Sequence, residues 1–154
     1  GCGENFFAFY RGNEVITPDS KKGGFLRGTK RRLLIEIAGK LEHPIHEHDI
    51  GSADLFNGAI EAATFTGTWA GFNPIGYILD TEKHYGNGEF IVPREKIQRH
   101  ELLNMLMEQY GAVTRGSFIQ RDEQTKEIVR IVPLDKRLEE LAREVRYPVD
   151  FTVN

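Results

Sequence analysis

The sequence has 154 residues, of which 40% are hydrophobic and 28% charged, and its formal net charge at pH 7 is −3. This length is typical of one domain, or of a domain with a tail, that buries a core without disulfides or metals. The small negative charge gives no electrostatic reason to expect nucleic acid or an anionic membrane as a partner. No apolar run approaches the ~20 residues needed to span a bilayer.

The cysteine content bears on the cellular compartment, and the first residue bears on whether the sequence is part of a larger protein. The only cysteine, Cys2, excludes an internal disulfide and favours a reducing, cytoplasmic compartment. The chain starts at Gly1 without a methionine, and no signal peptide is recognisable. We interpret it as a piece of a larger protein, and removal of an initiator methionine is the alternative.

A hairpin and an amphipathic helix are the first elements predicted. Residues 6–10 are apolar and predict a buried strand, Gly12-Asn13 predicts a turn, and residues 14–17 predict the partner strand. A helix is predicted next, because apolar residues recur at spacings of three and four. Its apolar positions are Leu33, Leu34, Ile37, Ala38 and Leu41. Its water-facing positions are predicted to be Arg31, Arg32, Glu36 and Lys40.

The later elements alternate between strands and helices. Strands are predicted over residues 45–50, 62–66 and 72–79, with a brief helix after Ser52. A second amphipathic helix follows Pro93. Residues 118–119 and 128–132 are predicted to pair as strands, and a last helix starts near Asp135. The fold class predicted is mixed α/β.

Two glycine-containing turns are candidate anion sites. Residues 23–29, Gly-Gly-Phe-Leu-Arg-Gly-Thr, lead straight into the first helix. Glycine lets backbone N–H groups approach a ligand, and a helix start adds unpaired donors and partial positive charge. Residues 66–71, Thr-Gly-Thr-Trp-Ala-Gly, follow a predicted strand and present further N–H groups and hydroxyls. An ordinary helix start and an ordinary turn are the alternatives.

With Gly-Cys-Gly-Glu-Asn-Phe-Phe at residues 1–7, these motifs resemble, in this order, part of a known family. The resemblance is to the cofactor-binding, C-terminal half of fold-type IV (class IV) pyridoxal-phosphate aminotransferases of the branched-chain type. It implies a C-terminal domain of the D-amino-acid-aminotransferase-like fold, with small twisted sheets and flanking helices. This domain would span residues 1–116. Residues 117–154, which resemble nothing in the family, would form an extension with a strand pair and a terminal helix.

The resemblance assigns roles to individual positions around pyridoxal 5'-phosphate. Glu4 would face the pyridine nitrogen and keep it protonated, so that the ring accepts electrons. Leu26 would pack on the ring. The positions implied for the phosphate are Gly28, Thr29, Lys30, Gly67 and Thr68. The positions implied for the phosphate or the substrate carboxylate are Thr68, Trp69 and Ala70.

Three departures from the family pattern bear on activity. Lys30 replaces a threonine whose hydroxyl moves to Thr29, and Trp69 is bulkier than the usual small residue. The lysine that forms the Schiff base lies upstream of the Glu-Asn motif in the family and has no counterpart here. No catalytic residue is therefore assigned, and whether this chain alone is an enzyme is left open.

The function implied is amino transfer between an aliphatic amino acid and 2-oxoglutarate, once the chain is joined to a half that carries the lysine. Such a transferase would form a dimer or assemble with a companion N-terminal half. D-amino-acid aminotransferase or aminodeoxychorismate lyase activity is an alternative within the family, and a non-catalytic binding fragment is a third interpretation. His43, His46 and His48 cluster in sequence, but no further pair completes a metal site, so none is expected.

Overall fold

A five-stranded sheet is the centre of the molecule in the computed structural model, which describes residues 4–19, 28–67 and 71–146. Its strands are β1 (Glu4–Tyr10), β2 (Glu14–Thr17), β3 (Ile45–Glu47), β4 (Ile60–Gly67) and β5 (Gly71–Pro74). They lie in the order β3-β2-β1-β4-β5. Neighbours run antiparallel, apart from the parallel pair of β2 and β3. The two longest strands, β1 and β4, are therefore paired at the middle of the sheet.

Two small sheets and five helices complete the described fold. The paired strands are β6 (Tyr77–Leu79) with β7 (Glu89–Ile91), and β8 (Ser117–Arg121) with β9 (Ile128–Pro133). The helices are α1 (Thr29–Lys40), α2 (Ser52–Phe56), α3 (Arg94–Arg99), α4 (Glu101–Thr114) and α5 (Lys136–Arg146). The predicted mixed α/β class is confirmed. None of these helices is long and apolar enough to cross a bilayer.

The first two predicted elements form as expected. Gly12 and Asn13 have φ values of 84° and 62°, so the β1–β2 turn uses two residue types that tolerate this conformation. Helix α1 buries Leu33, Leu34 and Ile37 completely. It ends where His43 N–H donates to the Ala38 carbonyl at 3.0 Å, a hydrogen bond typical of a helix C-terminus.

Three predicted elements differ from the structure in extent. The strand predicted over residues 45–50 covers only Ile45–Glu47, and residues 72–79 contribute to two strands. The helix after Pro93 is two helices that meet at His100, whose backbone is extended (ψ 100°). This break is stabilised locally, because the His100 imidazole Nδ1 accepts the Leu103 N–H at 3.2 Å and caps α4.

Two hydrophobic layers cover opposite faces of the central sheet. Alternation along β1 directs Phe7 and Phe9 to one face and Ala8 to the other. Helices α1, α4 and α5 pack on the first face, and β7 packs on the second. Since α5 contributes Leu138, Leu141 and Ala142 to the first layer, its packing is continuous with the core of the central sheet. The boundary at residue 116 stays a prediction.

Candidate functional site

Strand pairing brings the Glu-Asn motif and the second glycine turn together. In the antiparallel register of β1 and β4, Glu4 lies opposite Gly67 and Asn5 lies opposite Thr66. Paired residues in antiparallel strands have Cα atoms about 4.5–5.5 Å apart. Two motifs from opposite halves of the first 80 residues therefore meet at one end of the sheet.

The start of α1 reaches the same end of the sheet. Gly28 is the N-cap residue of α1. A Cβ atom built on Gly28 would lie 2.5 Å from Asn5 Nδ2, so the helix start and the β1 side chain are in close contact. We call the place where Glu4, Asn5, Gly28 and Gly67 meet the motif corner.

The electrostatics of the α1 N-terminus suit an anion. Its first turn contains no acidic residue, and Gly28 at its N-cap has no side chain to bond its N–H groups. The N–H groups at a helix start carry partial positive charge that favours a bound anion. Lys30 lies in this turn, and partial burial lowers the pKa of its ammonium group. An anion bound beside Lys30 would oppose this shift, because it favours the charged form.

Arg31 is not on the water-facing side of α1, and this part of the sequence prediction is wrong. Its side chain is 3% exposed and forms an ion pair with Glu47, while Nη2 donates to the Pro18 carbonyl at 3.1 Å. The guanidinium is thus used to join α1 to β3 and to the end of β2. Arg31 therefore has a structural role, whereas Lys30 is half-buried and Arg32 is exposed and pairs with Glu144 on α5.

Buried polar side chains concentrate beneath the α1 N-terminus. They are Asn5, Thr17, Arg31, Thr64 and Thr66. Thr17 Oγ1 donates to the Phe6 carbonyl at 2.7 Å. Three oxygen atoms in this group have no hydrogen-bond partner in the described parts of the chain: Asn5 Oδ1, Thr64 Oγ1 and Thr66 Oγ1. An unsatisfied buried polar group costs about 1–3 kcal/mol, so this end of the core has unused capacity for a polar partner.

The predicted site residues divide into two groups. Glu4, Gly28, Thr29, Lys30 and Gly67 are in described segments, and the backbones of all five belong to the motif corner or to the helix turn that starts there. Leu26, Thr68, Trp69 and Ala70 lie outside the described residues. Sequence reasoning gave the side chains of Asn5 and Thr64 no role, and it considered the Thr66 hydroxyl only as part of the turn at residues 66–71. Two-residue alternation in β4 already places both threonines on one face.

Other candidate features lie away from the motif corner. A cavity of about 600 Å³ is lined by Leu102, Met105 and Arg121, between α4 and the β8–β9 sheet. The His46 and His48 rings are 6.3 Å apart on the surface. Residues 4–19, 28–67 and 71–146 contain no cluster of three or more potential metal ligands.

Comparison with family models and with curated proteins gives no match. Solved structures do match. The branched-chain aminotransferase of the archaeon Thermoproteus uzoniensis, solved with norvaline, shares 30% identity over 72% of this chain and 31% of that chain, with a TM-score of 0.54. The corresponding enzyme of Thermobaculum terrenum (M4 mutant) shares 25% identity over 72% of this chain and 32% of that chain, with a TM-score of 0.51.

The fold likeness extends to a bacterial enzyme of lower identity. The branched-chain amino acid aminotransferase of Escherichia coli shares 19% identity over 71% of this chain and 32% of that chain, with a TM-score of 0.54. This chain spans about a third of the length of these relatives. The predicted resemblance to a part of fold-type IV aminotransferases of the branched-chain type is confirmed, and the coverage is consistent with their C-terminal half.

Proposed function

We propose, from the similarity to branched-chain aminotransferases, that this chain is the cofactor-binding part of a pyridoxal-phosphate aminotransferase. The observation that carries this function is the convergence of three sequence motifs. Glu4 pairs with Gly67 in the sheet, and Gly28 contacts Asn5 at the adjacent position of β1. A single cofactor site formed by these three motifs would require such proximity, although they are separate in sequence.

The residue types at the motif corner and in the first turn of α1 are chemically suited to the phosphate group and to the pyridine nitrogen of the cofactor. The α1 N-terminus would hold the phosphate through backbone N–H groups at Gly28 and Thr29, because Gly28 has no side chain to cap them and the first turn holds no acidic residue. Lys30 would add positive charge. Glu4 would bind the pyridine nitrogen and keep it protonated. Pyridoxal phosphate, when bound, supplies an electron sink for the amino acid substrate.

Catalysis needs an amine that the motif corner does not supply. The lysine required for covalent attachment of the cofactor would come from upstream sequence or from a companion chain. The residues described here would then bind and orient the cofactor, and amino transfer between an aliphatic amino acid and 2-oxoglutarate would need both parts. Leu26, Thr68, Trp69 and Ala70 remain proposed contacts to the ring, phosphate or substrate.

Assembly with another chain is supported by an exposed apolar face. Tyr77, Leu79 and Ile91 lie on the outer face of the β6–β7 sheet and are 54%, 48% and 54% exposed. Contiguous exposed apolar residues are typical of surfaces that contact another protein. We propose that the working enzyme is a homo-oligomer or pairs this chain with its N-terminal half, and light scattering of the purified chain tests association.

The test of cofactor binding uses the full 154-residue chain and two ligands. Pyridoxal phosphate and inorganic phosphate are titrated separately while the backbone amide NMR shifts of Gly28, Thr29 and Gly67 are followed. Both ligands should shift these amides. Glu4→Gln should weaken the binding of pyridoxal phosphate and leave the binding of inorganic phosphate unchanged, because only pyridoxal phosphate has a ring nitrogen. Glu89→Gln, an exposed change on β7, is the matched control.

Covalent attachment is tested by borohydride reduction followed by mass spectrometry of the peptides. No lysine of this chain should carry the cofactor after reduction. A labelled lysine would contradict the need for an external amine, and failure of millimolar pyridoxal phosphate to shift any of the three amides would contradict cofactor binding altogether.

A further inference from the structure

Gly28 is required for space and not for its backbone conformation. Its φ and ψ of −62° and 144° are available to any residue, so an alanine there would meet no backbone strain. The Cβ of that alanine would instead lie 2.5 Å from Asn5 Nδ2 and 3.7 Å from Asn5 Cγ. A glycine at this position therefore allows the start of α1 to lie directly against the Asn5 carboxamide.

Asn5 itself lies in a paired strand and is buried. It pairs with Thr66 in the β1–β4 register, and its side chain is 5% exposed. The neighbouring residue on the same face, Phe7, is 1% exposed and belongs to the main core. The carboxamide thus projects from a buried part of the sheet, and the start of α1 lies directly against it.

The Asn5 carboxamide also has unused hydrogen-bonding capacity beside the helix N-terminus. Its Oδ1 is buried and has no partner in the described parts of the chain, as is also true of Thr66 Oγ1 on the facing strand. Of the six polar or charged side chains that are buried within residues 4–19, 28–67 and 71–146, only Gln109 lies away from this end of the core, and it bonds both backbone groups of Ile119. The carboxamide of Gln109 is therefore satisfied on both its oxygen and its nitrogen, whereas the oxygen of the Asn5 carboxamide is not.

We propose that Asn5 is a positioning residue for the anion site. Its carboxamide sets the height of the α1 N-terminus above the sheet, and so places the N–H groups of the first turn where a phosphate would be held. Gly28 and Asn5 act as one unit in this role, because each occupies the space that limits the other. This role depends on the proposed function and adds to it a residue with no assigned contact to the cofactor.

Four variants of the full chain separate positioning from simple packing. Gly28→Ala should weaken the binding of inorganic phosphate and of pyridoxal phosphate alike by about tenfold, because one charge-assisted hydrogen-bond donor is displaced. Asn5→Ala should also weaken the binding of both ligands. The double variant Gly28→Ala with Asn5→Ala should lose less affinity for both ligands than the sum of the two single losses, because the added methyl group enters the space left by the carboxamide. Gly39→Ala is the control, since a Cβ there meets nothing within 4 Å.

A charged isostere supplies the readout that packing alone would not change. Asn5→Asp keeps the side-chain shape but places a negative charge beside the helix start, where it interacts favourably with the helix dipole and competes with phosphate. Phosphate affinity should fall by about tenfold or more, while the melting temperature should fall less than in Asn5→Ala. Affinities are measured well below the melting temperature of every variant, so that all of them are folded.

Each outcome decides one question. If the wild-type chain binds neither phosphate nor pyridoxal phosphate, the proposed function is wrong. In that case, the coupling of Gly28→Ala with Asn5→Ala in thermal stability still tests the contact. If the wild-type chain binds but the two single losses are additive, or Gly28→Ala binds like Gly39→Ala, only the positioning role is overturned. The same holds if Asn5→Asp loses stability and affinity in parallel with Asn5→Ala.

Discussion

Two buried threonines differ in a way that the sequence does not reveal. Thr17 and Thr64 are both 0% exposed, on neighbouring parts of the same sheet face. Thr17 donates to the Phe6 carbonyl, whereas Thr64 Oγ1 has no partner in the described segments. Removing a satisfied hydroxyl leaves a carbonyl unpaired, while removing an unsatisfied one eliminates a desolvation penalty.

We therefore expect opposite effects from the same substitution. Thr17→Val should lower the free energy of unfolding by about 1–2 kcal/mol, and Thr64→Val should leave it unchanged or raise it. Urea unfolding of the ligand-free chain measures both. A clear loss in Thr64→Val would mean that its hydroxyl already has a partner, such as a bound water molecule.

Arg31 shows why residue polarity misled the helix prediction. The position lies three residues before Leu34 and seven before Ala38, which places it on the buried stripe of α1 by helical spacing alone. Its charge suggested the opposite face. A buried arginine is tolerable only with a partner, and Glu47 is contributed by β3, an element whose position beside α1 depends on the tertiary fold.

At the scale of elements, Asp135 links the start of α5 to α1. Its carboxylate accepts the Leu138 N–H at 2.8 Å, as an N-cap residue does, and forms an ion pair with Lys40. The Leu138 N–H first, and then Lys40, hold the pKa of this carboxyl below its ordinary value. The folded chain thus binds this proton less tightly than the unfolded chain.

The pH dependence follows from the sign of that shift. A lowered pKa stabilises the folded state at neutral pH, and this contribution is lost as the pH falls below about 4. Asp135→Ala should cost about 1 kcal/mol or less at neutral pH, because the group is 46% exposed and screened by solvent. The difference from wild type in urea unfolding should shrink in acid. Glu140→Gln, on the same helix, is the control, and a cost independent of pH would contradict the role of the carboxylate.

At the scale of the whole molecule, α5 decides whether residues 117–154 are an appendage. Leu141 is 1% exposed and packs in the same layer as Phe7 and Leu33. The nearby Val129 on β9 is 63% exposed. Within the predicted extension, Leu141 therefore tests the part that packs in the main core, and Val129 tests the part that is exposed.

Leu141→Ala should lower the free energy of unfolding of the whole chain by about 2–5 kcal/mol, because it leaves a cavity in the main core. Val129→Ala should change it by less than about 0.5 kcal/mol. Thermal unfolding with both backbone and aromatic signals measures the effect. If Leu141→Ala lowers the melting temperature of only a minor part of the unfolding signal, the C-terminal segment is an independent extension, as the sequence suggested.

Local patterns were sufficient for much of this protein. The hairpin turn at Gly12-Asn13 and the apolar stripe of α1 could both be predicted, because each depends on neighbours within a few residues. The break at His100 was missed, since a histidine side chain as a helix cap leaves no mark on the hydrophobic period. The contact between Asn5 and Gly28 was also missed.

The sequence by itself determined the mixed α/β class, the positions of the main elements and the resemblance to part of an aminotransferase. Only the tertiary structure decided that Glu4 lies opposite Gly67, that Asn5 meets Gly28 and that Arg31 is buried against Glu47. The physical reason is range. Turns and helical stripes are set by short-range sterics and periodicity, whereas strand register and helix docking depend on how distant segments fill a shared core.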